Sequence, residues 1–291
     1  MAESPTVTIA IITRDARSEL ERCLRSIGEH AEVSVETILV DNASSDGTAE
    51  WLKSAFPEVV LIESTENLGD AARELALERV HGRYVMFLDS DTELTAGALA
   101  RMVGALESNL DWGLIGPRLV YRDGSLQLSC RRFPPPILPF LRRPPLSWVF
   151  GDGRTVRRHL MLDFDHERAR PVQYVIGACQ LFRASLAHAA GPYDTRIFWG
   201  PSDIDWCIRI RDAGGQVVYF PGATVVHGYR RTTSKKPASW LALRHLLAFY
   251  YFQRKYRARR HELIELERTF DPDMLGSEAG SSDNASGREA V

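Results

Sequence analysis

Short apolar runs and helical patterns alternate along the first part of the chain, and this alternation constrains the fold more than any other feature. The apolar, β-rich runs are Val7–Thr13, Val35–Asp41, Val59–Glu63 and Tyr84–Asp89, and the helical stretches lie near 16–29, 47–56, 70–80 and 95–106. Strands that alternate with helices are typical of a parallel sheet covered by helices on its faces. The sequence therefore predicts an α/β fold with a doubly wound beginning.

Polar residues follow each apolar run. Sheets of this kind bind ligands beyond the carboxyl ends of their strands, so these residues are candidates for a site. They are Thr13-Arg14-Asp15, Asp41-Asn42, Asn67 and Asp89-Ser90-Asp91. Asp41 is suited to bind a nucleobase or ribose, and the alternative of an Asx turn or helix cap fits Asp46 better than Asp41.

Two carboxylates separated by one residue, Asp89 and Asp91, lie at the carboxyl end of the run Tyr84–Asp89. Alternate residues of an extended chain project the same way, so both can meet one cation. Hard oxygen ligands suit Mg²⁺ or Mn²⁺, which commonly join a protein to a diphosphate. The alternative is that Asp91 or Thr92 caps the following helix, which explains one aspartate but not the pair.

Two further residues are candidates for catalysis or metal binding. Asp203 lies in the first turn of a helix predicted from Ser202, where it can serve as a general base or simply complement the helix dipole. His227 ends a short apolar strand, and it is either a metal ligand or a hydrogen-bonded core residue. An imidazole in the metal shell would favour Mn²⁺ over Mg²⁺.

The second part of the chain is less regular. A segment rich in Pro and Arg spans 130–170, and we expect no regular structure in Cys130–Pro145. Two strands, Gln216–Tyr219 and Thr224–His227, are predicted to pair. Trp240–Glu267 is predicted to form one long basic helix.

The basic and apolar residues of this part allow several interpretations. Arginines and apolar residues of the 130–170 segment could meet anionic lipid or a diphosphate-linked acceptor, or form a solvated loop. The helix from Trp240 could likewise lie on a membrane or pack on the domain. Residues 271–291 are rich in Ser, Gly, Ala and Asp, and we predict that they are disordered.

Composition and missing motifs argue against several classes of protein. A formal net charge of -2 gives no reason to expect nucleic acid as a partner. The four cysteines form no C-x-x-C pair, and neither a secretory signal nor a membrane-spanning run is evident, so we predict a cytoplasmic protein. The first strand enters no glycine-rich turn, which argues against a dinucleotide-dependent oxidoreductase, a methyltransferase or a nucleotidyltransferase.

Taken in order, the motifs resemble the inverting family 2 glycosyltransferases with the GT-A fold, especially their bacterial rhamnosyltransferase-like branch. The matching phrases are Val40-Asp41-Asn42-Ala43-Ser44-Ser45-Asp46-Gly47, Glu66-Asn67-Leu68-Gly69, Leu88-Asp89-Ser90-Asp91-Thr92-Glu93-Leu94, Gly116-Pro117-Arg118-Leu119, Gly177-Ala178-Cys179 and Val225-Val226-His227. The resemblance implies a mixed, mostly parallel sheet flanked by helices. It divides the chain into a domain at 1–235, with a nucleotide-sugar half at 6–94 and an acceptor and catalytic half at 111–235, a basic amphipathic helix at 236–270 and the tail at 271–291.

The resemblance also implies roles for individual residues. Asp89, Asp91 and His227 take the positions of the metal ligands, for Mn²⁺ or Mg²⁺, and Asp203 takes that of the catalytic base. The residues expected on the nucleotide sugar are Thr13, Arg14, Asp41, Asn67, Asp89 and Ser90. Independently of the resemblance, Trp199, Asp205 and Trp206 are expected near the acceptor because they lie close to Asp203 in the sequence. Buried packing is an equal alternative for Trp206, given its helical spacing with Ile210.

The activity so implied is a single in-line displacement with inversion. It moves a sugar, with rhamnose favoured, from a nucleoside diphosphate to a hydroxyl of a glycan or lipid-linked acceptor in cell-surface polysaccharide synthesis. The expected location is the cytoplasm, with contact at the inner face of the cell membrane as one option.

Five positions depart from the family pattern. Ser202 stands where the family usually has Glu beside the base, and Asp70 stands where an aromatic residue is common. Arg73-Glu74 replaces small and amide residues, and Asp89 replaces an Asn that is frequent in the closest branch. Because of Ser202, a sugar-nucleotide-binding protein without turnover is the alternative function.

Overall fold

The protein is described here by a computed structural model that covers residues 4–228 and 240–270. Its strands are β1 (Val7–Thr13), β2 (Val35–Asp41), β3 (Val60–Glu63), β4 (Tyr84–Asp89), β5 (Thr92–Leu94), β6 (Trp112–Val120), β7 (Leu126–Gln127), β8 (Cys130–Arg131), β9 (Arg170–Pro171), β10 (Tyr174–Val175), β11 (Cys179–Arg183) and β12 (Gln216–His227). Its helices are α1 (Arg17–His30), α2 (Thr48–Ala55), α3 (Arg73–Leu77), α4 (Ala98–Ser108), α5 (Leu138–Leu141), α6 (Leu146–Phe150), α7 (Arg154–His159), α8 (Ala184–Ala190), α9 (Ser202–Asp212), α10 (Trp240–Lys255) and α11 (Arg260–Phe270), with a 3-10 turn at Gly69–Ala72. The predicted tail at 271–291 lies outside the described residues.

One sheet joins both halves of the predicted domain. Its strands lie in the order β3-β2-β1-β4-β11-β6-β12-β5, with β7 beside β6 and β9 beside β12. The four strands β3, β2, β1 and β4 are parallel, whereas β11 runs antiparallel between β4 and β6. The predicted mixed, mostly parallel sheet flanked by helices is therefore confirmed.

The core lies on both faces of this sheet because neighbouring residues of a strand point to opposite sides. Ile9 and Ile11 of β1 pack on one face, where helices α1 and α4 cover them. Phe87 of β4 packs on the other face, which α9 and α10 cover. Apolar side chains buried to this extent each contribute about 1.5–3 kcal/mol, so both layers hold the strand ends in place.

The pair of strands predicted at 216–227 is instead one continuous strand, β12. It pairs in parallel with β6 along both parts, and the register shifts between Phe220 and Thr224. The residues between the two predicted strands, 220–223, therefore make an irregularity rather than a hairpin turn. The neighbouring strand offers partners on both sides of the irregularity, so the chain need not reverse.

The prediction of one long C-terminal helix is wrong, because α10 ends at Lys255 and α11 begins at Arg260. Tyr256 donates its hydroxyl hydrogen to Asp205 at 2.9 Å. Arg259 makes two hydrogen bonds to Asp212, at 2.7 and 2.8 Å. These contacts with α9 turn the chain where helical spacing alone predicts continuation.

The proline-rich segment contains regular structure that we did not expect. The short helix α5 lies within it, and α6 follows directly. Pro139 stands in the first turn of α5, where its missing N–H removes no helical hydrogen bond. Across the described part of the chain, no helix is both long enough and apolar enough to cross a membrane.

Candidate active site

The parallel strands bring the predicted donor-site residues to one edge of the sheet. Thr13 is paired in register with Asp41, and Ile12 is paired with Asp89. The Thr13 side chain is buried, and its Oγ1 has no hydrogen-bond partner within the described residues. Buried polar atoms usually have a partner, so this hydroxyl is one that a ligand can satisfy. Arg14 is exposed at the mouth of this crevice.

The loops after β2 and β3 are tied together by two amides. Asn42 is buried and donates to the side-chain oxygen of Asn67 and to the carbonyl of Gly69, both at 3.1 Å. The Asn67 oxygen also accepts the backbone N–H of Gly69 at 3.0 Å. Asp41 accepts the N–H of Ser44, three residues on, at 3.3 Å, and the Asx turn lies at Asp46, which accepts the N–H of Thr48 at 3.1 Å. Asn67 and Asp41 thus shape the crevice, and Asn42, which the sequence marked as a site candidate, holds the two loops together.

Asp89, Asp91 and His227 converge as predicted. One ligand atom from each lies within 4.8 Å of the others, and His227 Nε2 is 3.3 Å from Asp91 Oδ1. His227 Nδ1 donates to the side-chain oxygen of Gln127 at 2.7 Å. In a neutral ring this bond places the lone pair on Nε2, which faces the carboxylates. Ser90 is half-buried between the two aspartates.

This donor set fits a divalent cation. Two carboxylates and one imidazole suit Mn²⁺ and also accommodate Mg²⁺. The hydrogen bond from Gln127 is the outer contact that commonly orients a metal-binding histidine. Sequence reasoning missed Gln127, because 100 residues separate it from His227.

Arg73 is a second residue whose role the sequence did not reveal. It is buried, and its Nη2 donates to Asp89 Oδ1 at 2.9 Å and to the carbonyl of Gly177 at 3.1 Å. Its guanidinium lies over the Phe87 ring, 5.0 Å from the centroid. Burial raises the pKa of Asp89 to about 6, although the Arg73 charge opposes the rise. One hint of this role was present in the sequence, since Arg73 departs from the family pattern after the Asn67-Leu68-Gly69 phrase.

Asp203 contacts the backbone of Gly177 on the side opposite Arg73. Its Oδ2 accepts the backbone N–H of Gly177 at 3.3 Å, and its Oδ1 accepts the N–H of Ile204 at 2.8 Å. Burial raises the pKa of Asp203 to about 7, with Arg131 opposing the rise. A carboxyl group with this pKa can exchange protons near neutral pH. The backbone of Gly177 therefore connects a candidate base, through its N–H, to Arg73, through its carbonyl, and Arg73 in turn contacts Asp89 of the metal-binding group.

Two of the residues predicted on the acceptor side lie in the interior. Trp206 is fully buried and stacks with Tyr193 at 5.0 Å between ring centroids. Asp205 is buried in an ion pair with Lys255, at 2.6 Å. Neither can contact an acceptor, because the helical spacing of α9 turns both toward α10 and the core. Trp199 is exposed by 39% and remains available.

A mixed sheet of the GT-A type therefore carries polar residues at the ends of its parallel strands, beside a cluster of two aspartates and a histidine. The chain belongs to the family described as Glycosyl transferase family 2, whose sequence profile matches residues 8–190.

The likeness to glycosyltransferases extends beyond residues 8–190, as the alignment with one relative shows. The N-acetylglucosaminyl-diphospho-decaprenol L-rhamnosyltransferase of Mycobacterium tuberculosis is 28% identical over 263 residues. That alignment covers 84% of this chain and 82% of the relative. The predicted likeness to rhamnosyltransferases is thereby confirmed.

Solved structures confirm the fold. GalNAc-T7, crystallised with UDP, GalNAc and Mn²⁺, superposes with a TM-score of 0.66 at 15% identity. The match covers 96% of this chain and 53% of GalNAc-T7, so this chain spans about half the length of that protein. The mannosyltransferase PcManGT from Pyrobaculum calidifontis, in complex with GDP-Man and Mn²⁺, gives a TM-score of 0.60 at 20% identity. That match covers 97% of this chain and 77% of the mannosyltransferase.

Proposed function

We propose that this glycosyltransferase moves a rhamnosyl group, with inversion, from a nucleoside diphosphate to a hydroxyl of a lipid-linked glycan acceptor in cell-surface polysaccharide synthesis. The observation that carries the proposal is the backbone of Gly177, whose N–H donates to Asp203 and whose carbonyl accepts from Arg73, the partner of Asp89. A candidate base and a candidate diphosphate site thereby lie on two sides of one crevice. This is the arrangement that a single displacement requires.

The donor side would be formed by the strand ends. Thr13, Arg14, Asp41, Asn67 and Ser90 surround the crevice in which the nucleotide sugar would lie. Asp89, Asp91 and His227 would hold Mn²⁺ or Mg²⁺. When bound, such an ion supplies Lewis-acid stabilisation of the negative charge on the departing diphosphate.

On the acceptor side, Asp203 would accept the proton of the attacking hydroxyl. The acceptor oxygen forms a bond to the anomeric carbon as the bond from that carbon to the diphosphate breaks, and the electron pair leaves with the diphosphate. Attack from the face opposite the leaving group inverts the configuration, and no covalent enzyme intermediate is needed. Trp199 offers an exposed ring against which the acceptor sugar could stack.

The choice of donor and acceptor follows the mycobacterial relative. Its name specifies a rhamnosyl transfer and an acceptor built on decaprenol diphosphate. A decaprenyl chain is a membrane lipid, so an acceptor of that class would bring this chain to a membrane surface. Two described parts of the chain have the surface chemistry for such a contact.

The first part is the outer face of α10. Trp240, Leu243, Leu247 and Tyr250 recur at helical spacing and are all exposed, with Trp240 at 70% and Tyr250 at 67%. The opposite face, which includes Phe249 and Phe252, is buried against the domain. An outward apolar stripe on an otherwise packed helix is unusual for a surface in water.

The second part is α6, where Trp148 is 80% exposed and Val149 is 75% exposed. Exposed arginines surround it on both sides: Arg142, Arg154, Arg157 and Arg158. Arg143 donates to His245 Nδ1 at 3.2 Å, which joins this segment to α10. Exposed tryptophans together with arginines suit the headgroup region of an anionic membrane. The proposed location is therefore the inner face of the cell membrane.

Thermal stabilisation by nucleotide sugars tests the donor site, because a ligand that binds only the folded state raises the melting temperature. A panel with dTDP-rhamnose and UDP sugars would be measured with Mn²⁺, with Mg²⁺ and with chelator. We expect a metal-dependent shift with dTDP-rhamnose, and release of nucleoside diphosphate once a lipid-linked acceptor is added. Binding without release would favour the alternative of a binding protein, and the absence of any shift would contradict the donor site.

Vesicle sedimentation tests the membrane surface separately. We expect the protein to bind vesicles that contain phosphatidylglycerol, and to bind phosphatidylcholine vesicles more weakly. The double variant Trp148→Ser/Leu247→Ser should lose about tenfold or more in affinity, since each side chain loses about 1.5–3 kcal/mol of apolar burial. Leu110→Ser is the matched control, because Leu110 is 82% exposed but belongs to neither part. Equal binding by both variants would contradict the proposed surface.

A further inference from the structure

The loop that carries the candidate base is held by a second carboxylate, that of Asp70. Asp70 Oδ2 accepts a hydrogen bond from the Ser202 hydroxyl and another from the backbone N–H of Gly200, at 3.3 Å for the latter. The N–H of Asp70 in turn donates to the carbonyl of Phe198 at 2.9 Å. Three hydrogen bonds therefore join the turn at Gly69–Ala72 to the loop at 198–202.

The backbones of these two segments are also in direct contact. Gly69 has a φ of +62°, and a Cβ built on it would lie 2.0 Å from the carbonyl oxygen of Phe198. No side chain fits at this position without a shift of the backbone. Ser202 is 3% exposed, so its hydroxyl has little access to water. The contact is thus closely packed, and the carboxylate of Asp70 lies at its centre.

The position of Asp70 matters for chemistry because Ser202 and Asp203 are neighbours at the start of α9. Within the residues that the structure describes, Asp203 accepts two hydrogen bonds, both from backbone N–H groups. Burial is the largest cause of the raised pKa of Asp203, and the negative charge of Asp70 also raises it. Asp70 therefore influences the candidate base both through the backbone and through its charge.

We propose that Asp70 is a positioning residue for glycosyl transfer, which fixes the loop of Asp203 through hydrogen bonds to Ser202 and Gly200. This inference rests on the proposed function, in which Asp203 is the base. Asp70 need not touch the substrate, since its effect passes through Ser202 and Gly200. The two departures from the family pattern at positions 70 and 202 are then a single paired feature.

The first test compares Asp70→Ala, Ser202→Ala and the double variant in the transfer reaction. We expect kcat to fall about tenfold or more in Asp70→Ala while the donor Kd stays within about threefold, the pattern of a lost interaction that acts on the chemical step. Because the two residues share one hydrogen bond, the double variant should be no slower than Asp70→Ala alone. Glu66→Ala, an exposed acidic residue of the same segment, is the control that should keep native kcat.

The second test exchanges the partners. Asp70→Ser/Ser202→Asp restores a hydroxyl opposite a carboxylate with the direction of the bond reversed. We expect this variant to regain kcat to within about fivefold of the native protein, as coupled residues do when their interaction is restored. A variant that regains thermal stability but not kcat would show a merely structural pair and would overturn the proposal. Native kcat in Asp70→Ala would overturn it as well.

A third measurement, hydrogen exchange, does not require catalytic activity. Hydrogen exchange of the free protein should become faster in residues 198–204 of Asp70→Ala, because the amide of Gly200 loses its acceptor. Unchanged exchange in this segment would overturn the proposal even if activity falls. If the native protein transfers no sugar at all, the proposed function fails, while the exchange measurement still decides whether Asp70 holds the loop.

Discussion

The proposed donor side and the proposed acceptor side of the crevice are built in different ways. On the donor side, Thr13, Asp41 and Asp89 stand at the ends of adjacent parallel strands, so the sheet itself sets their spacing. On the acceptor side, Asp203 begins a helix, and its loop is held by hydrogen bonds from distant segments. One side is positioned by regular secondary structure and the other by tertiary contacts. Mutations should therefore act differently on the two sides.

The largest expected effect concerns the base. Asp203→Asn should lower kcat by about 10²–10⁴-fold, the usual contribution of general base catalysis. Donor-dependent thermal stabilisation should persist, because the strand ends are unchanged. Steady-state kinetics with a lipid-linked acceptor checks the first effect, and melting curves with donor check the second. Asp212→Asn, at the far end of the same helix, is the control. A variant that loses donor binding along with kcat would show that the two sides are not separate.

The next largest effect is on stability. Trp206→Ala should lower the free energy of unfolding by about 3–5 kcal/mol, as expected when a large core aromatic is removed. The ring is fully buried beneath the site, and it packs with Phe87, Phe182 and Tyr193. Denaturant unfolding measures the change. A loss below about 1 kcal/mol would contradict its placement in the core.

A third prediction sharpens the account of the donor side. Gln127→Ala should weaken Mn²⁺ binding by about 10–100-fold, since it removes the outer hydrogen bond that orients His227. Calorimetry with Mn²⁺ in the presence of nucleoside diphosphate measures the affinity. Gln216→Ala, at an exposed position, should leave the affinity unchanged. If both variants bind alike, His227 is not oriented for a metal.

The pH dependence gives a smaller, graded effect on the acceptor side. Asp203 must be ionised to accept a proton, and burial raises its pKa to about 7. The value of kcat/KM should therefore fall about tenfold per pH unit below this pKa and level off above it. The measurement is a profile from about pH 5.5 to about pH 8.5 with metal kept saturating at each point. A rate that already levels off below about pH 5.5 would contradict an essential group with this pKa.

The smallest effect is expected at Trp199. Trp199→Ala should raise the acceptor KM by about 2–10-fold, which corresponds to about 0.5–1.5 kcal/mol for a contact on an aromatic face. The free energy of unfolding should change by less than about 0.5 kcal/mol, as is usual for an exposed residue. Kinetics with varied acceptor and denaturant unfolding check the two values. An unchanged KM would remove Trp199 from the acceptor site.

The same contrast explains what could be predicted from the sequence. Asp89 and Asp91 were found because an apolar run that ends in carboxylates marks a strand end in any parallel sheet. The resemblance added His227 and Asp203, for which the residues alone left a structural alternative open. The strand bounds of β1, β2 and β4 also agree with the apolar runs.

The residues that were missed lie far apart along the chain. Arg73, Gln127 and the pair of Asp70 with Ser202 act through contacts between segments that no local pattern connects. Asp205 and Trp206 were expected on the acceptor side because they lie close to Asp203, and for Trp206 the helical spacing with Ile210 already offered the buried alternative that the structure shows. The division of the C-terminal helix depends in the same way on contacts with α9.

The inner face of helix α10 packs on the loop that leads to Asp203, and its outer face carries the exposed apolar stripe. The thickness of the helix therefore sets the distance between that loop and anything that the stripe contacts. His245 on its inner side packs against Gly200, where a Cβ would lie 2.4 Å from the ring, and Arg244 stacks on Phe198 at 3.3 Å. If the outer stripe lies at the headgroups, as proposed, the loop of Asp203 would lie one helix diameter, ~10–12 Å, above the membrane surface. Within that height there is room for one or two sugar rings on a diphosphate. In that arrangement we expect acceptors near the start of a lipid-linked glycan, because longer chains would place their reactive end beyond Asp203.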